Sequence, residues 1–136
     1  MRVVLDTNVY ISALMFGGLP GALLDLALLK SFTTLTSEAL LDELAEKLYG
    51  KFAVSTEDVG IIRARIAATA IVVTPKETLH VITDDPDDNR VLECAISGNA
   101  DIVVSGDRHL LTLGSYQDIP ILRVRAFMER LEEGGE

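Results

Sequence analysis

Arg2-Val3-Val4-Leu5-Asp6-Thr7-Asn8 is the stretch of sequence that decides the fold. Three consecutive apolar residues, two of them β-branched, predict a short strand that is buried on both faces of a sheet. The strand ends at a carboxylate, and two small polar residues and a helical pattern follow it. Since open α/β sheets bind their ligands at the carboxyl ends of the strands, Asp6 is a candidate site residue. It is equally a suitable N-cap for the next helix, and this stretch alone leaves both roles open.

Strands and helices alternate along the rest of the chain. The predicted strands cover residues 3–5, 32–35, 71–73, 102–104 and 119–123, with a further extended piece at 79–82. The predicted helices cover about residues 9–16, 19–30, 38–49, 57–70, 88–97, 108–113 and 126–132. This alternation predicts an α/β fold with a mostly parallel sheet, formed as a single domain over residues 1–136.

The composition limits the class of protein. A chain of 136 residues that is 49% hydrophobic is long and apolar enough for one domain with a real core. Its net charge of −9 argues against a protein that holds nucleic acid through a broad basic surface. Carboxylates gathered around divalent cations would fit this charge, and so would simple solubility. No apolar run approaches the ~20 residues of a membrane span, and no secretory signal pattern is present, so the expected location is the cytoplasm.

Asp88 is the most informative acid after Asp6. It heads an apolar stripe on the fifth predicted helix, whose members lie three, four, seven and eight residues further on: Val91, Leu92, Ala95 and Ile96. An acid in that position faces the core and needs a cation or strong hydrogen bonds, because a buried unpaired carboxylate is costly. The alternative is a capping role, in which Asp85 is the N-cap and Asp88 reaches back to the backbone.

Two further acids complete the candidate set. Asp107 follows the buried strand at 102–104 and precedes a helical turn, so it repeats the arrangement of Asp6 and has the same capping alternative. Glu43 flanks the apolar stripe of the third predicted helix. Its spacing favours it only slightly over Asp42 on the other edge, whereas Glu46 faces away.

The residue types indicate which metal such a set would hold. Four acids that converge, without a set of histidine or cysteine ligands, indicate a hard divalent cation such as Mg²⁺ or Mn²⁺. The two histidines, His80 and His109, are interpreted as isolated loop or surface residues. Cys94 is interpreted as a core residue of the apolar helix.

Four motifs, in order, resemble those of a PIN domain: the stretch from Val3 to Asn8, the Glu43 helix, Asp88 with the helix that follows it, and Val103-Val104-Ser105-Gly106-Asp107. The resemblance extends over essentially the whole chain, and it is closest to the prokaryotic single-domain VapC-type toxins of toxin–antitoxin pairs. It implies a three-layer α/β/α fold around the mostly parallel sheet. It also implies a metal-dependent ribonuclease that binds Mg²⁺ or Mn²⁺ at the carboxyl edge of that sheet.

Carried over by position, the resemblance assigns roles to individual residues. Asp6, Glu43, Asp88 and Asp107 would be the metal ligands and catalytic acids, and Asn8 and Ser105 would support them by hydrogen bonding. Three more acids, Asp84, Asp85 and Asp87, crowd the loop before Asp88. The resemblance therefore leaves open which of the four is the third ligand, and the helix-face argument favours Asp88. Arg108, next to the last acid, is the candidate for contact with the RNA substrate, within a possible basic rim formed by Arg2, Lys47, Lys51, Arg90 and Arg108.

The resemblance further implies partners, namely an RNA substrate, a small antitoxin protein and a second copy of the chain in a homodimer. The apolar helix at about 19–30 is a candidate interface, although burial within the chain is the alternative use. A PIN-like module that binds RNA or protein without cleaving it remains the competing interpretation of function.

Overall fold

A computed structural model describes residues 1–134 of the protein. The strands are β1 (Arg2–Leu5), β2 (Thr33–Thr36), β3 (Ile71–Val72), β4 (Ile102–Val104), β5 (Ser115–Tyr116) and β6 (Ile119–Leu122). The helices are α1 (Thr7–Phe16), α2 (Gly18–Leu28), α3 (Glu38–Gly50), α4 (Thr56–Thr69), α5 (Asp88–Ser97), α6 (Arg108–Leu113) and α7 (Val124–Glu132).

The strands form one sheet in the order β3-β2-β1-β4-β6-β5. All neighbouring pairs are parallel except β5 and β6, which form an antiparallel pair at the edge. The first strand therefore lies in the interior of the sheet, where Val4 is opposite Leu35 on one side and Val103 on the other. A parallel strand needs a crossover connection to its neighbour, and the helices supply these connections.

Alternate residues of the central strands face two separate cores. Val3 and Leu5 belong to one core, together with residues of α1, α2, α3, α4 and α7. Val4 belongs to the other, with residues of α5 and α6. Both faces of the sheet are thus covered by helices, as parallel sheets require. The predicted three-layer α/β/α fold with a mostly parallel sheet is confirmed.

Two details differ from the sequence prediction. The short edge strand β5 was not predicted, because two residues give too little pattern to read. The predicted extended piece at 79–82 forms no strand. Its backbone is paired with side chains of α5 instead, as Val81 N–H and Ile82 N–H both donate to Asn89 Oδ1, at 3.0 and 2.9 Å.

The apolar helix α2 is used mainly within the chain. Leu23, Leu24 and Ala27 are buried in the first core, whereas Leu29, just beyond the helix, is 77% exposed. Within residues 1–134, no single helix has the length and apolarity to cross a membrane. Helices α1 and α2 reach that length and apolarity only when taken together, across a bend of 109°.

Candidate metal centre

Asp6 lies at the carboxyl end of β1, deep in the protein, and it is only 3% exposed. Its Oδ2 accepts a hydrogen bond of 2.7 Å from the hydroxyl of Ser105. The Ser105 hydroxyl in turn accepts a hydrogen bond of 2.9 Å from the backbone N–H of Asp107. Asp6 occupies the N-cap position of α1, as the capping alternative predicted, but its carboxylate makes no side-chain capping hydrogen bond among the described residues.

Asp107 combines both roles that the sequence left open. Its Oδ2 accepts hydrogen bonds from the backbone N–H groups of His109 and Leu110, at 2.9 and 3.1 Å, and so it is the N-cap of α6. A carboxylate oxygen of Asp107 also lies within 4.8 Å of a carboxylate oxygen of Asp88, which is close enough for the two to bind the same metal ion. This proximity follows from the parallel pairing of β1 with β4, which brings the ends of the two strands to the same edge of the sheet.

Asp88 begins α5 and is 8% exposed. Neither it nor the N-cap residue Asp87 makes a side-chain capping bond in the described chain, so the predicted capping alternative is wrong for Asp88. Its Oδ2 is fully buried and has no hydrogen-bond partner among the described residues. Because a buried oxygen of this kind carries a large desolvation cost, the site around it is incomplete without a further group.

Glu43 lies beside Asp6 on the half-buried face of α3. Its Oε1 accepts a hydrogen bond of 3.2 Å from the hydroxyl of Thr7, and its Oε2 lies 3.5 Å from Lys47 Nζ. By contrast, Asp42 is exposed and pairs with Arg63 at 2.8 Å. Between the two candidates on this helix, Glu43 is therefore the acid near the other carboxylates.

The two predicted supporting residues differ in what they contact. Ser105 bonds directly to Asp6, as described above, whereas Asn8 bonds to none of the four acids. The Asn8 Oδ1 accepts a hydrogen bond of 3.3 Å from Lys47 Nζ, so it contacts the lysine that pairs with Glu43 and not Glu43 itself. The residue that holds Glu43 directly is Thr7, which the sequence argument treated as a small polar neighbour.

The electrostatics of the cluster are those of crowded, buried acids. Burial raises the pKa of Asp88 to about 8, and the nearby charges of Asp107 and Asp85 add to this effect. Burial alone would also raise the pKa of Asp107. Its contact with Asp88 and the hydrogen bonds that it accepts nevertheless hold that pKa below its usual value. At neutral pH the pair therefore shares a proton in the absence of a cation.

Asp6 and Glu43 show the same tendency. Burial raises the pKa of Asp6, although the hydrogen bond from Ser105 opposes the shift. Burial likewise raises the pKa of Glu43, and the charge of Lys47 opposes that shift. A cation close to these carboxylates would oppose the shifts, because an opposite charge nearby favours their ionised forms. In the described chain, the ligand atoms that lie within 4.8 Å of one another come from Asp85, Asp88, Asp107 and His109, and Asp6 and Glu43 are not among them.

His109 is the neighbour that sequence reasoning missed, whereas Asp85 is one of the loop acids that it left open as a ligand. One ligand atom from each of Asp85, Asp88, Asp107 and His109 falls within 4.8 Å of the other three. The interpretation of His109 as an isolated surface residue is therefore wrong. A signal was present, because His109 follows the capping acid Asp107 by two residues and so lies in the first turn of the helix that Asp107 begins.

The predicted basic rim is only partly assembled. Arg108 is exposed and lines an open pocket of about 580 Å³ together with His109 and Asp84. Lys47 lies at the site, beside Glu43. Arg2, however, lies at the opposite end of β1, where its Nε donates to the Gly98 carbonyl at 2.9 Å, so its predicted place in the rim is wrong.

Comparison with known proteins gives the family. The model of the PIN domain matches residues 2–109, which contain all four predicted acids. The chain belongs to the PIN domain family. PIN domains are generally nucleases, and their family uses divalent metal ions.

Two further likenesses agree with this membership. The protein is 30% identical over 118 residues to the uncharacterized protein MJ1680 of Methanocaldococcus jannaschii, a match that covers 83% of this chain and 75% of that protein. Its fold is similar to a chain in the crystal structure of VapBC2 from Rickettsia felis bound to a DNA fragment from their promoter. That match has a TM-score of 0.58 and 16% identity, and it covers 90% of this chain and 98% of the other.

The residues at the site fit the divalent ion that PIN domains use. The buried Asp88 Oδ2 lacks a partner within the described chain, and the surrounding groups offer carboxylate oxygens and one imidazole nitrogen. Carboxylates suit Mg²⁺ and Mn²⁺, which bind through oxygen. The acidic cluster is thus compatible with metal binding.

Proposed function

We propose that this PIN domain protein is a Mg²⁺- or Mn²⁺-dependent endoribonuclease that hydrolyses RNA phosphodiester bonds. Asp6, Glu43, Asp88 and Asp107 are its proposed metal ligands and catalytic acids. The observation that carries the proposal is the buried, unpartnered oxygen of Asp88, which lies in one cluster with Asp107 at the carboxyl edge of the sheet. Burying a carboxylate without a partner costs free energy, and such carboxylates are concentrated at functional sites.

The chain's own residues have distinct tasks in this mechanism. Ser105 fixes the orientation of Asp6 and Thr7 that of Glu43, so that both carboxylates are held before a ligand arrives. The shared proton of Asp88 and Asp107 leaves as the site is loaded, because carboxylates bind metals in their ionised form. Arg108, exposed beside the cluster, offers a charge for an RNA phosphate. When bound, the divalent ion supplies a nucleophilic water at neutral pH and polarises the phosphate.

We further propose that the protein is the toxin component of a toxin–antitoxin pair, that it acts in the cytoplasm and that it forms a homodimer. The likeness of fold to VapBC2 supports the pairing with a small antitoxin. Large apolar side chains left on the surface, among them Phe16 and Leu29, each 77% exposed, are consistent with a protein partner. A short open reading frame next to the coding sequence, whose product copurifies with the protein and inhibits it, would support this assignment. Light scattering of the purified protein tests the dimer.

Incubation with RNA tests the nuclease assignment. Purified wild type is incubated with structured and unstructured RNAs in Mn²⁺, Mg²⁺ or chelator, beside Asp6→Asn and Asp88→Asn. Asp87→Asn is the matched control, since Asp87 is an exposed acid of the same loop with no side-chain capping bond. We expect cleavage only with a divalent ion. We also expect a loss of more than about 100-fold in the two ligand variants, since even groups that merely support a ligand are worth 10–100-fold.

The outcomes separate the competing assignments. Equal cleavage by wild type and Asp88→Asn would place the activity elsewhere or in a contaminant. RNA binding by wild type without cleavage in any metal would favour the alternative, a PIN-like RNA- or protein-binding module without catalytic activity.

A further inference from the structure

His109 is held at the acidic cluster without a hydrogen bond that explains its position. It is the second residue of α6, and its Nδ1 is buried and has no hydrogen-bond partner among residues 1–134. The nearest acceptors are Asp88 Oδ2 at 3.6 Å and Asp107 Oδ2 at 3.8 Å. Both separations exceed the range of about 2.7–3.2 Å for a hydrogen bond from nitrogen to oxygen.

These distances are close to those between ligand atoms of one metal ion. Two donor atoms that each lie about 2.1 Å from an ion in tetrahedral or octahedral geometry are roughly 3.0–3.4 Å apart. The two distances from His109 Nδ1, 3.6 Å to Asp88 and 3.8 Å to Asp107, exceed that spacing by roughly 0.2–0.8 Å, which side-chain shifts can close. Two of these three atoms, Asp88 Oδ2 and His109 Nδ1, are the ones left buried and unpartnered.

We propose that His109 is a nitrogen ligand of the metal centre, and that the centre therefore prefers a nitrogen-binding transition ion, such as Co²⁺, over Mg²⁺. The inference rests on the metal centre of the proposed function and adds a fifth donor of a different kind to its four acids. Carboxylate oxygens alone suit Mg²⁺ well, whereas imidazole nitrogen suits transition ions and adds little for Mg²⁺.

The structural alternative is that His109 serves only as a countercharge for the acids. Its Nε2 is 4.0 Å from the carboxylate of Asp84, whose side chain is 81% exposed, and a pair of this kind contributes little. A countercharge would act equally on every divalent ion, because it changes the field of the site and not the donor set. A ligand changes the ranking of the ions.

Electron spin-echo spectroscopy of bound Mn²⁺ gives a direct readout, since it detects the ¹⁴N nucleus of a coordinated imidazole. The chain has two histidines, and His80 is exposed, so His80→Asn is the matched control for His109→Asn in protein without a histidine tag. We expect the ¹⁴N modulation in wild type and in His80→Asn, and its loss in His109→Asn. Bound Mn²⁺ without ¹⁴N modulation in wild type would overturn the proposal, and this result does not depend on how well any variant folds.

Calorimetric titration with Co²⁺, Mn²⁺ and Mg²⁺ tests the preference among ions. We expect His109→Asn to weaken Co²⁺ binding by about 10-fold or more, while Mg²⁺ binding changes by less than about 3-fold. Equal weakening for all three ions would identify His109 as a countercharge and overturn the ligand role. Wild type that binds none of the ions, or Asp88→Asn that binds them as well as wild type, would instead overturn the metal centre of the proposed function itself.

Discussion

At the scale of single residues, Asp88 shows most clearly how the site conflicts with stability. Its carboxylate is nearly buried, next to Asp107 and Asp85, and one oxygen has no partner within the described chain. Each of these features favours the neutral form of the Asp88 carboxyl group in the metal-free protein. The free protein is therefore destabilised at the position that a bound cation would stabilise.

Replacing Asp88 with asparagine should expose this conflict. The amide keeps the size of the side chain and is neutral without taking up a proton, so we expect the metal-free melting temperature at neutral pH to rise above that of wild type. Addition of Mn²⁺ should then raise the melting temperature of wild type but not that of Asp88→Asn. Thermal melts in chelator and in Mn²⁺ measure both effects, with Asp87→Asn as the control that should behave like wild type. A metal-free Asp88→Asn protein less stable than wild type would contradict this account.

The pH dependence of stability follows from the same carboxyl group. Its pKa is about 8 in the folded protein and near 3.8 when unfolded, so the folded state keeps a proton that the unfolded state has released. This contribution to stability is fully present below the unfolded pKa and is lost as the pH rises through the folded pKa. We therefore expect the metal-free wild type to unfold more easily in denaturant at pH 8.5 than at pH 5. Asp88→Asn should show a smaller difference, and an equal dependence in both proteins would count against Asp88 as its source.

The residues of the site divide into those that the sequence predicts and those that it does not. Asp6 and Asp107 each follow a buried strand, and Asp88 heads an apolar stripe, so local patterns suffice for all three. His109 has only the weaker signal of its place in the first turn after Asp107, and Thr7 has none. Thr7 belongs to the site because α3 brings Glu43 Oε1 within 3.2 Å of the Thr7 hydroxyl. His109 belongs to it because α5 brings Asp88 Oδ2 within 3.6 Å of His109 Nδ1. Such contacts depend on how distant elements pack, which periodicity does not encode.

At the scale of the elements, two side chains of α5 hold the irregular segment that carries Asp85. Asn89 accepts hydrogen bonds from the backbone of Val81 and Ile82 and donates to the carbonyl groups of Ile82 and Pro86. Glu93 accepts one of 2.8 Å from the N–H of Leu79. The predicted extended piece at 79–82 thus has no strand partner in the described chain, because side chains of α5 bond to its backbone where a neighbouring strand would.

Truncation of Asn89 should loosen this segment. Asn89→Ala leaves buried backbone groups unpaired, so we expect the free energy of unfolding to fall by about 2–4 kcal/mol. Asn8→Ala, which loses one long and exposed hydrogen bond, should change it by less than about 0.5 kcal/mol. Denaturant titration measures the difference, and hydrogen exchange should show faster exchange at Val81 and Ile82. Unchanged exchange there would mean that the segment is held by its other contacts.

At the scale of the whole molecule, the net charge of −9 sets how the protein can bind RNA. A chain with this charge repels phosphate at long range, and few of its cations lie at the site. A bound divalent ion would offset part of the negative charge of the acids and attract the phosphate by direct contact. Because the chain is negatively charged, its binding of RNA would depend on the metal ion that the acidic cluster holds.

Binding of labelled RNA should therefore depend on the divalent ion. In fluorescence anisotropy with Ca²⁺, used as an oxygen-binding ion, we expect affinity more than about 10-fold higher than in chelator at equal ionic strength. Arg108→Ala should weaken the Ca²⁺-dependent binding several-fold. Equal affinity with and without the ion would mean that the lysines and arginines of the chain hold the RNA by themselves.

The interior position of β1 has a consequence for synthesis of the protein on the ribosome. Asp6 is translated before its hydrogen-bond partner Ser105, which lies 99 residues further along the chain. A nascent chain thus carries its first acid unpaired until β4 and Asp107 have been added. A translation product that stops before β4 lacks the strand that pairs with β1 on one side, and with it Ser105 and Asp107, so it cannot form the carboxylate cluster.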